Sequence, residues 1–583
     1  MKKYLLKTLC ATGIVLAATS CLDLDPKDQL SDAQVWTKPD NFTLFANQFY
    51  GWTRDFRGST SVTYMNGVSD GPHADTRSDL LCEASTNVYS DGSNSILATD
   101  DNYNNLYKRI YYVNLLLDRA RDFGDQAGIA EPKGEALFFR AYLHFELVQL
   151  YGDCILLQEP LDIDSRELYG PRTDRLTVIK ACVQDLKDAA ALLGETPSED
   201  GRVCRYTAWA LLSRIALYEG TWQKYHNRNT AESQALLQEA ADAALKVMES
   251  DKYELFASAE LGGRDSYRYL FILENVQCNP AGLTKTANRE YIFARRHDQT
   301  LKPIGLNITH GVQNNAYYPT QKLADMYRCQ DGLPISISPN FKGYAGQNTE
   351  FENRDNRMNG TLMMHGQKYW NNDGAWRTTW TSEDEEGVEG TNYLVANRRT
   401  NSGYANYKWA TERQVADESE GYDWPIIRYA EVLLNYAEAV YELNGKITDD
   451  ELDASLNLVR QRSNPTMTKL SNKLVDDHAA QGMTMLGEIR AERTVELFLE
   501  GFRIDDLKRW KTAEEEMPGD LLGIQYTGTW YESNWTSQLR PLNAEGRIIL
   551  YTNRKWDDKN YLLPLPNDET QLNPALGQNP GWE

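Results

Sequence analysis

Positive charge and long hydrophobic runs are both scarce in this sequence of 583 residues. Lys and Arg number 61 against 84 Asp and Glu, so the formal net charge is −23. A field of this sign repels a nucleic-acid backbone, which argues against nucleic-acid binding. Beyond the first twenty residues, no stretch reaches the roughly 18 apolar residues that a membrane-spanning helix needs. With 41% hydrophobic and 25% charged residues, the chain has the composition of a folded globular protein.

The sequence also lacks the motifs of metal and nucleotide sites. Its seven His residues fall at no metal-ligand spacing, and its eight Cys residues include no CxxC pair. The HExxH, P-loop and GxGxxG patterns are absent as well. We therefore expect no metal and no cofactor, and we expect most of the cysteines to be buried thiols.

Two patterns that resemble catalytic motifs are better explained as surface loops. Residues 67–71 satisfy GxSxG, but the polar residues after them do not predict the helix that a nucleophile elbow requires. Asp100–Asp101 and Glu383–Glu386 bring carboxyl groups together, as glycosidases do, yet adjacent acids in polar loops are usually solvated. We predict no catalytic residues and no enzymatic activity.

The N-terminus is predicted to be a targeting segment. Lys2, Lys3 and Lys7 precede an apolar stretch that ends in small residues before Cys21. Residues 1–20 thus have the order of a secretory signal peptide. A cysteine directly after the small residues resembles a bacterial lipoprotein processing site, at which Cys21 would be lipidated and become the mature N-terminus. The alternative is an ordinary signal peptide with an incidental cysteine.

Helical periodicity dominates residues 21–250. In residues 134–151 the apolar residues form one stripe, and Gly152 stands where the helix should end. Asp174 and Thr230 are the predicted N-caps of two later helices. Consecutive helices joined by short turns resemble tetratricopeptide-type repeats. The predicted helices are residues 102–123, 134–151, 176–193, 206–218 and 231–248.

Residues 251–583 form a second region in which the helical signal first fades and then returns. Gly, Asn, Thr and aromatic residues are frequent up to residue 424, with strand-like runs at 291–294 and 333–337. Long loops on a scaffold are the usual location of binding residues. Helices are predicted again from Ile426, over residues 452–462 and over residues 485–511.

The most specific motif lies at residues 490–510, which read RAERTVELFLEGFRIDDLKRW. It resembles the "ER..EL..EG.R..DL.RW" pattern of the SusD/RagB family of outer-membrane lipoproteins. Residues 138–153, 428–445, 456–462 and 561–582 also resemble the family, in the expected order along the chain.

This resemblance implies both a fold and a function. The fold would be mainly α and SusD-like, with tetratricopeptide-type helix pairs supporting a loop-rich ligand-binding region. The protein would capture an oligosaccharide or polysaccharide at the cell surface and deliver it to a SusC-like TonB-dependent transporter. The lipid on Cys21 would hold it on the outer membrane.

The charged residues of the motif are predicted to stabilise the fold rather than to take part in a reaction. Glu500 and Arg503 lie three residues apart, and Asp505 and Arg509 lie four apart. Opposite charges at these spacings are expected to share helix faces.

The aromatic composition predicts a binding surface, because 34 Tyr and 14 Trp stand against 15 Phe. Sugar rings present apolar C–H faces that stack on Trp and Tyr, while their hydroxyls bind polar side chains. Three loop regions offer this mixture. The first is residues 87–103, the second is residues 310–318 and the third is residues 369–393. For each ring, a packing or loop-anchoring role is the alternative. The candidate glycan-binding residues are Tyr89, Tyr103, Tyr317, Tyr318, Trp370, Trp376 and Trp380.

Two other functions stay open. A peptide-capturing RagB-type protein would use its Tyr-rich and Asn-rich loops to bind peptide backbone. Its acidic surface would favour basic peptides, with an affinity that falls steeply as salt rises. A purely structural subunit of the transporter would bind no soluble ligand.

Overall fold

The structure, a computed structural model, describes most of the chain after the predicted targeting segment. The residues described are 35–56, 71–83, 85–306, 308–309, 317–364, 367, 369–370, 376–377, 402–411, 413, 415–416, 418–534 and 541–583. The predicted signal peptide, Cys21, Trp380 and Glu383–Glu386 lie outside them. Among the described residues, none of the helices combines the length and the apolar character of a membrane-spanning segment.

The first half of the chain folds as helices that pack on their neighbours in sequence, as the mainly α prediction expects. Each of α2 to α5 packs against the next helix. Close approach requires small residues: a Cβ on Gly220 would lie 3.0 Å from Leu237 Cγ of the following helix. The helices are α1 (Pro39–Ala46), α2 (Asp101–Arg121), α3 (Ala130–Tyr151), α4 (Arg175–Leu192), α5 (Arg205–Tyr225) and α6 (Thr230–Met248).

The ends of these helices follow their capping residues. The Asp174 carboxylate accepts a hydrogen bond from the N–H of Leu176, so Asp174 is the N-cap of α4, as predicted. The prediction of Thr230 as a cap is wrong by one residue, because the side chain of Asn229 accepts from the N–H of Glu232. Gly152 ends α3 with a φ of +74°.

The second half combines shorter helices with four two-stranded antiparallel ladders in the described part of the chain. The ladders pair β1 (Leu81–Glu83) with β3 (Tyr317–Pro319), β2 (Tyr291–Arg295) with β6 (Trp424–Arg428), β4 (Tyr369–Trp370) with β5 (Trp376–Arg377), and β7 (Gly519–Gln525) with β8 (Arg547–Arg554). The helices are α7 (Gly262–Leu270), α8 (Gln321–Met326), α9 (Asn356–Thr361), α10 (Tyr429–Asn444), α11 (Asp449–Asp453), α12 (Leu456–Ser463), α13 (Asn472–His478), α14 (Met485–Leu497), α15 (Arg503–Arg509), α16 (Ala513–Glu516), α17 (Trp530–Asn534) and α18 (Asn567–Leu572).

Three predictions of secondary structure in this half are wrong. Ile426 and Ile427 belong to the buried strand β6 and not to the helix, which begins at Tyr429. A fully buried strand is a continuous apolar run, which periodicity alone does not distinguish from a helix. Residues 333–337 form turns after Gly332, whose φ is +80°. The predicted helix 485–511 is broken between α14 and α15, where Leu499 adopts a φ of +61°.

Glu496 and Glu500 of residues 490–510 take part in a buried ion-pair cluster, which we call the charge core. Its centre is Arg428, whose Nη1 lies 2.8 Å from Glu290 Oε1 and 2.6 Å from Glu496 Oε1. The Nε of Arg428 lies 2.7 Å from Glu500 Oε2. Arg462 completes the charge core through Glu290, at 2.9 Å, and Glu496.

The pairs predicted within the motif are wrong, because its side chains bond to other elements. Arg503 donates two hydrogen bonds to Asp79, at 2.9 and 2.8 Å. Arg509 bonds to Asp506 and to Glu438 of α10. Asp505 lies 2.6 Å from Nδ1 of the buried His73. The motif therefore joins distant parts of the chain.

The C-terminal tail packs against α3. The Asn579 side-chain amide donates to the carbonyl oxygens of Tyr151, at 3.0 Å, and Leu563, at 2.7 Å. Arg172 in turn donates to Asn579 Oδ1 at 2.6 Å. The last residues thus complete the helical half of the fold.

The cysteines match the expectation of buried thiols. All six cysteines in the described residues are buried thiols: Cys82, Cys154, Cys182, Cys204, Cys278 and Cys329.

Candidate ligand-binding site

The first predicted binding region runs from Asn87 to Tyr103, and the C-terminal segment holds its loop, residues 85–100, in place. A Cβ on Gly92 would lie 2.5 Å from the carbonyl oxygen of Lys555, so only glycine fits this approach. The Lys555 N–H donates to the Asp91 carbonyl oxygen at 3.2 Å. The Asn560 amide donates to Asn94 Oδ1 at 3.1 Å. The loop is therefore presented on a fixed backbone.

Tyr89 is the partly exposed aromatic residue at the centre of this loop. The guanidinium carbon of Arg77 lies 3.6 Å from the centroid of its ring, a cation–π contact. Tyr89 and Asn94 line a small cavity together with Lys508 and Trp556. An aromatic ring and an amide thus stand side by side, which is the combination that sugar recognition uses.

Two residues of this cavity were not singled out by sequence reasoning. The buried indole N–H of Trp556 has no hydrogen-bond partner among the described residues. Burial lowers the pKa of Lys508 to about 8, against the opposing attraction of Asp505. Neither residue lies in the three loop regions that were selected for their mixture of aromatic and polar residues.

Tyr103 lies in the first turn of α2 and is only 5% exposed. Its ring centroid is 4.9 Å from that of Tyr107 and 5.2 Å from that of Tyr151. The preceding Asp100 caps the helix through the N–H of Asn102, at 2.8 Å, and accepts from the Tyr151 hydroxyl at 2.6 Å. Asp100 is thus engaged in holding the start of α2.

Tyr317 and Tyr318 lie in β3, where the ladder with β1 pairs them with Glu83 and Cys82. Most of the second predicted region, residues 310–316, lies outside the described residues. The two tyrosines are 8% and 3% exposed. Their burial fits the packing role that the sequence left as the alternative.

Two of the three tryptophans of the third region are brought together. Trp370 of β4 and Trp376 of β5 are directly paired in the antiparallel register. Tyr369 is paired in the same way with Arg377. Trp380 lies outside the described residues. The backbone pairing thus places two candidate residues opposite each other on neighbouring strands.

One histidine of the helical half has a structural role. His144 is buried in α3, with Nδ1 3.0 Å from the Arg140 carbonyl oxygen and Nε2 accepting from the Leu157 N–H at 3.2 Å. Burial lowers its pKa to about 4, so the ring is neutral at pH 7. Within the described ranges, no three His, Cys, Asp or Glu side chains are grouped as metal ligands.

The chain belongs to the SusD family. The model of that family matches residues 278–582. A second family model, described as starch-binding and associating with the outer membrane, matches residues 28–217. Together the two models cover both the helical half and the half that holds the charge core.

Individual relatives share the fold at low sequence identity. A SusD-like carbohydrate-binding protein from Bacteroides fragilis is 23% identical, with a TM-score of 0.69 over 93% of this chain and 99% of its own. The surface glycan-binding protein A from Bacteroides fluxus is 18% identical, with a TM-score of 0.59 over 93% and 99%. The SusD-like protein P25 from Formosa agariphila is 30% identical over 136 residues, 23% of this chain. That match spans only 26% of the relative's length.

Proposed function

We propose that this protein is a cell-surface lipoprotein that binds a glycan and delivers it to a SusC-like TonB-dependent transporter without cleaving it. The observation that carries this proposal is the match of residues 28–217 to a family described as starch-binding and associating with the outer membrane. Two structural relatives that are described as carbohydrate-binding and glycan-binding support the same class of ligand.

The proposed binding residues are Tyr89 and the tryptophans of the third region, Trp370, Trp376 and Trp380. Tyr89 lies on a loop with a fixed backbone. The loop would therefore lose little conformational freedom when a sugar stacks on the ring. The pairing of Trp370 with Trp376 places two aromatic residues on one ribbon. We assign Tyr103, Tyr317 and Tyr318 to the support of these loops, because each is at most 8% exposed.

The proposed anchor is a lipid on Cys21. The residues directly after it include Asp23, Asp25 and Asp28, which would form an acidic tether before α1. A lipid at this point would leave the folded region outside the bilayer.

Calorimetric titration of the protein without residues 1–21 tests the proposal. The panel contains starch, fructan, mannan, host-type glycans and a mixed peptide pool. We expect binding to one polysaccharide without release of reducing ends. Trp370→Ala and Trp376→Ala should each weaken it about tenfold, by analogy with nucleic-acid bases, whose stacking on an aromatic side chain contributes about 1–3 kcal/mol. The matched control is Trp209→Ala. Trp209 lies in α5, and its half-buried ring lies under the Lys246 side chain of α6.

Unchanged glycan binding in both tryptophan variants would contradict the assigned site. Binding of the peptide pool alone would replace the glycan by a peptide ligand. The two classes differ in salt dependence, since stacking on a neutral sugar is insensitive to ionic strength while a basic peptide on this acidic protein is not.

A further inference from the structure

An apolar groove of about 400 Å³ lies between α2, residues 155–169 and α18. One wall is a row of tyrosines, Tyr103, Tyr107 and Tyr111, which share a face of α2 because they are four residues apart. The volume is in the range of sites that bind ligands or side chains of a partner. The opposite wall is mainly aliphatic and includes Leu157, Leu161, Ile163, Leu168, Leu572 and Leu576.

Several polar atoms along this groove are already engaged, although Asn104, Glu159 and Glu569 also line it. The Tyr107 hydroxyl accepts from the Ile155 N–H at 2.9 Å, and the Tyr169 hydroxyl donates to the Ile163 carbonyl oxygen at 3.0 Å. The Asn573 amide donates to two carbonyl oxygens, and its own oxygen accepts from a backbone N–H. A sugar would find few partners for its hydroxyls here, whereas apolar side chains need none.

The rim of the groove exposes large apolar side chains. Ile163 is 80% exposed, Leu572 69%, Tyr169 51% and Tyr111 40%. These four are a third of the twelve large hydrophobic side chains that are exposed in the described part of the chain. An exposed apolar patch of this kind marks an interaction surface on a soluble domain.

The charged side chains that line the groove are acidic, whereas α2, which forms one wall, also carries Lys108 and Arg121, and Arg121 Nη2 lies 3.7 Å from Glu159 Oε1. Glu159 and Glu569 are the charged residues that line it. Residues 155–169 and 567–576 together contain six Asp and Glu and one Arg. An acidic rim around an apolar floor is complementary to apolar side chains flanked by positive charge.

We propose that this groove, which we call the tyrosine groove, binds an extended segment of a partner protein in which apolar side chains are flanked by Lys or Arg. The apolar side chains lie between the tyrosine row and the aliphatic wall. The flanking cations pair with Glu159 and Glu569 at the rim. None of the glycan-binding residues proposed above is among the described residues that line this groove, and Tyr103 of its tyrosine row was assigned to loop support.

Fluorescence anisotropy with three labelled peptides tests this proposal on the protein without residues 1–21. The probe is KRLFLFRK; KRSGSGRK keeps its charge without the apolar side chains, and EDLFLFDE keeps the apolar side chains with reversed charge. We expect binding of the first peptide only. The double variant Ile163→Asn/Leu572→Asn should weaken it at least tenfold, and Glu159→Gln/Glu569→Gln several-fold with a smaller dependence on salt.

The matched control is Leu44→Asn/Leu301→Asn, two leucines that are 67% and 88% exposed elsewhere. It should leave peptide affinity unchanged, and circular dichroism should show that all variants are folded. No binding of KRLFLFRK, equal binding of KRSGSGRK, or equal loss in the control would each overturn the proposal. Glycan binding by the groove variants should equal that of the unmodified protein, so this test and that of the proposed function fail independently.

Discussion

The helix pairs of residues 101–248 and the charge core are both buried, but different forces hold them. In the helix pairs, side chains such as Phe138 and Leu211 are fully buried against apolar neighbours. In the charge core, Glu496 is equally buried, and the arginines around it hold the pKa of its carboxyl well below the ordinary value despite burial. Loss of an apolar side chain leaves a cavity, whereas loss of one partner in the charge core leaves a buried charge uncompensated.

The largest expected effect comes from removing the centre of the charge core. Arg428→Met leaves three buried carboxylates without their shared partner, so we expect a loss of about 3–5 kcal/mol in the free energy of unfolding. Urea denaturation measures this loss. Arg140→Met is the matched change among the helix pairs, where Arg140 bonds to the single acid Asp185. Equal losses in the two variants would remove the distinction between the regions.

A second effect depends on pH. Burial opposes ionisation of Glu438, but Arg509 outweighs it and holds the pKa of this carboxyl at about 2, against an ordinary 4.5. The folded state therefore binds fewer protons than the unfolded state between these values. The stabilisation is present above pH 4.5 and is lost as pH falls towards 2, by up to about 3 kcal/mol.

Thermal unfolding of Glu438→Gln as a function of pH tests this expectation. The variant should be less stable at pH 7, and its stability should fall less steeply between pH 4.5 and 2. Exposed Glu515 provides the control, since Glu515→Gln should keep the slope of the unmodified protein. A variant of Glu438 with that same slope would show that this carboxylate is not a source of the acid sensitivity.

The smallest expected effect lies at one helix end among the helix pairs. Asn229→Ala removes the cap of α6 and should cost about 1 kcal/mol in the free energy of unfolding. Thr230→Ala changes the residue that the sequence favoured as the cap, and it should stay within about 0.5 kcal/mol of the unmodified protein. Urea denaturation of both variants decides which residue is the cap, and the reverse order of losses would contradict the structure.

The sequence predicts the helix pairs well because their determinants are local. An apolar stripe, the Asp174 cap and the stop at Gly152 all act within a few residues of the element that they define. The partners of Arg503 and Asp505 were not predictable, since Asp79 and His73 are more than 400 residues away. Local spacing offered nearer partners, which tertiary packing overrode.

The candidate site was predictable in kind but not in detail. Loop composition identified Tyr89, which the structure places partly exposed beside Asn94. It also identified Tyr103 and Tyr318, whose rings the structure buries. Composition cannot distinguish an aromatic residue that faces solvent from one that anchors the loop to the scaffold, because both suit the same amphipathic ring.

The contact between Asn579 and the end of α3 has a consequence for the order of folding. Asn579 and its partner Tyr151 are 428 positions apart. The helical half therefore lacks one of its own contacts until the C-terminal tail has been synthesised. Loop closure over such a distance is slow compared with helix formation. Completion of the helical half therefore has to wait until residue 579 has been synthesised.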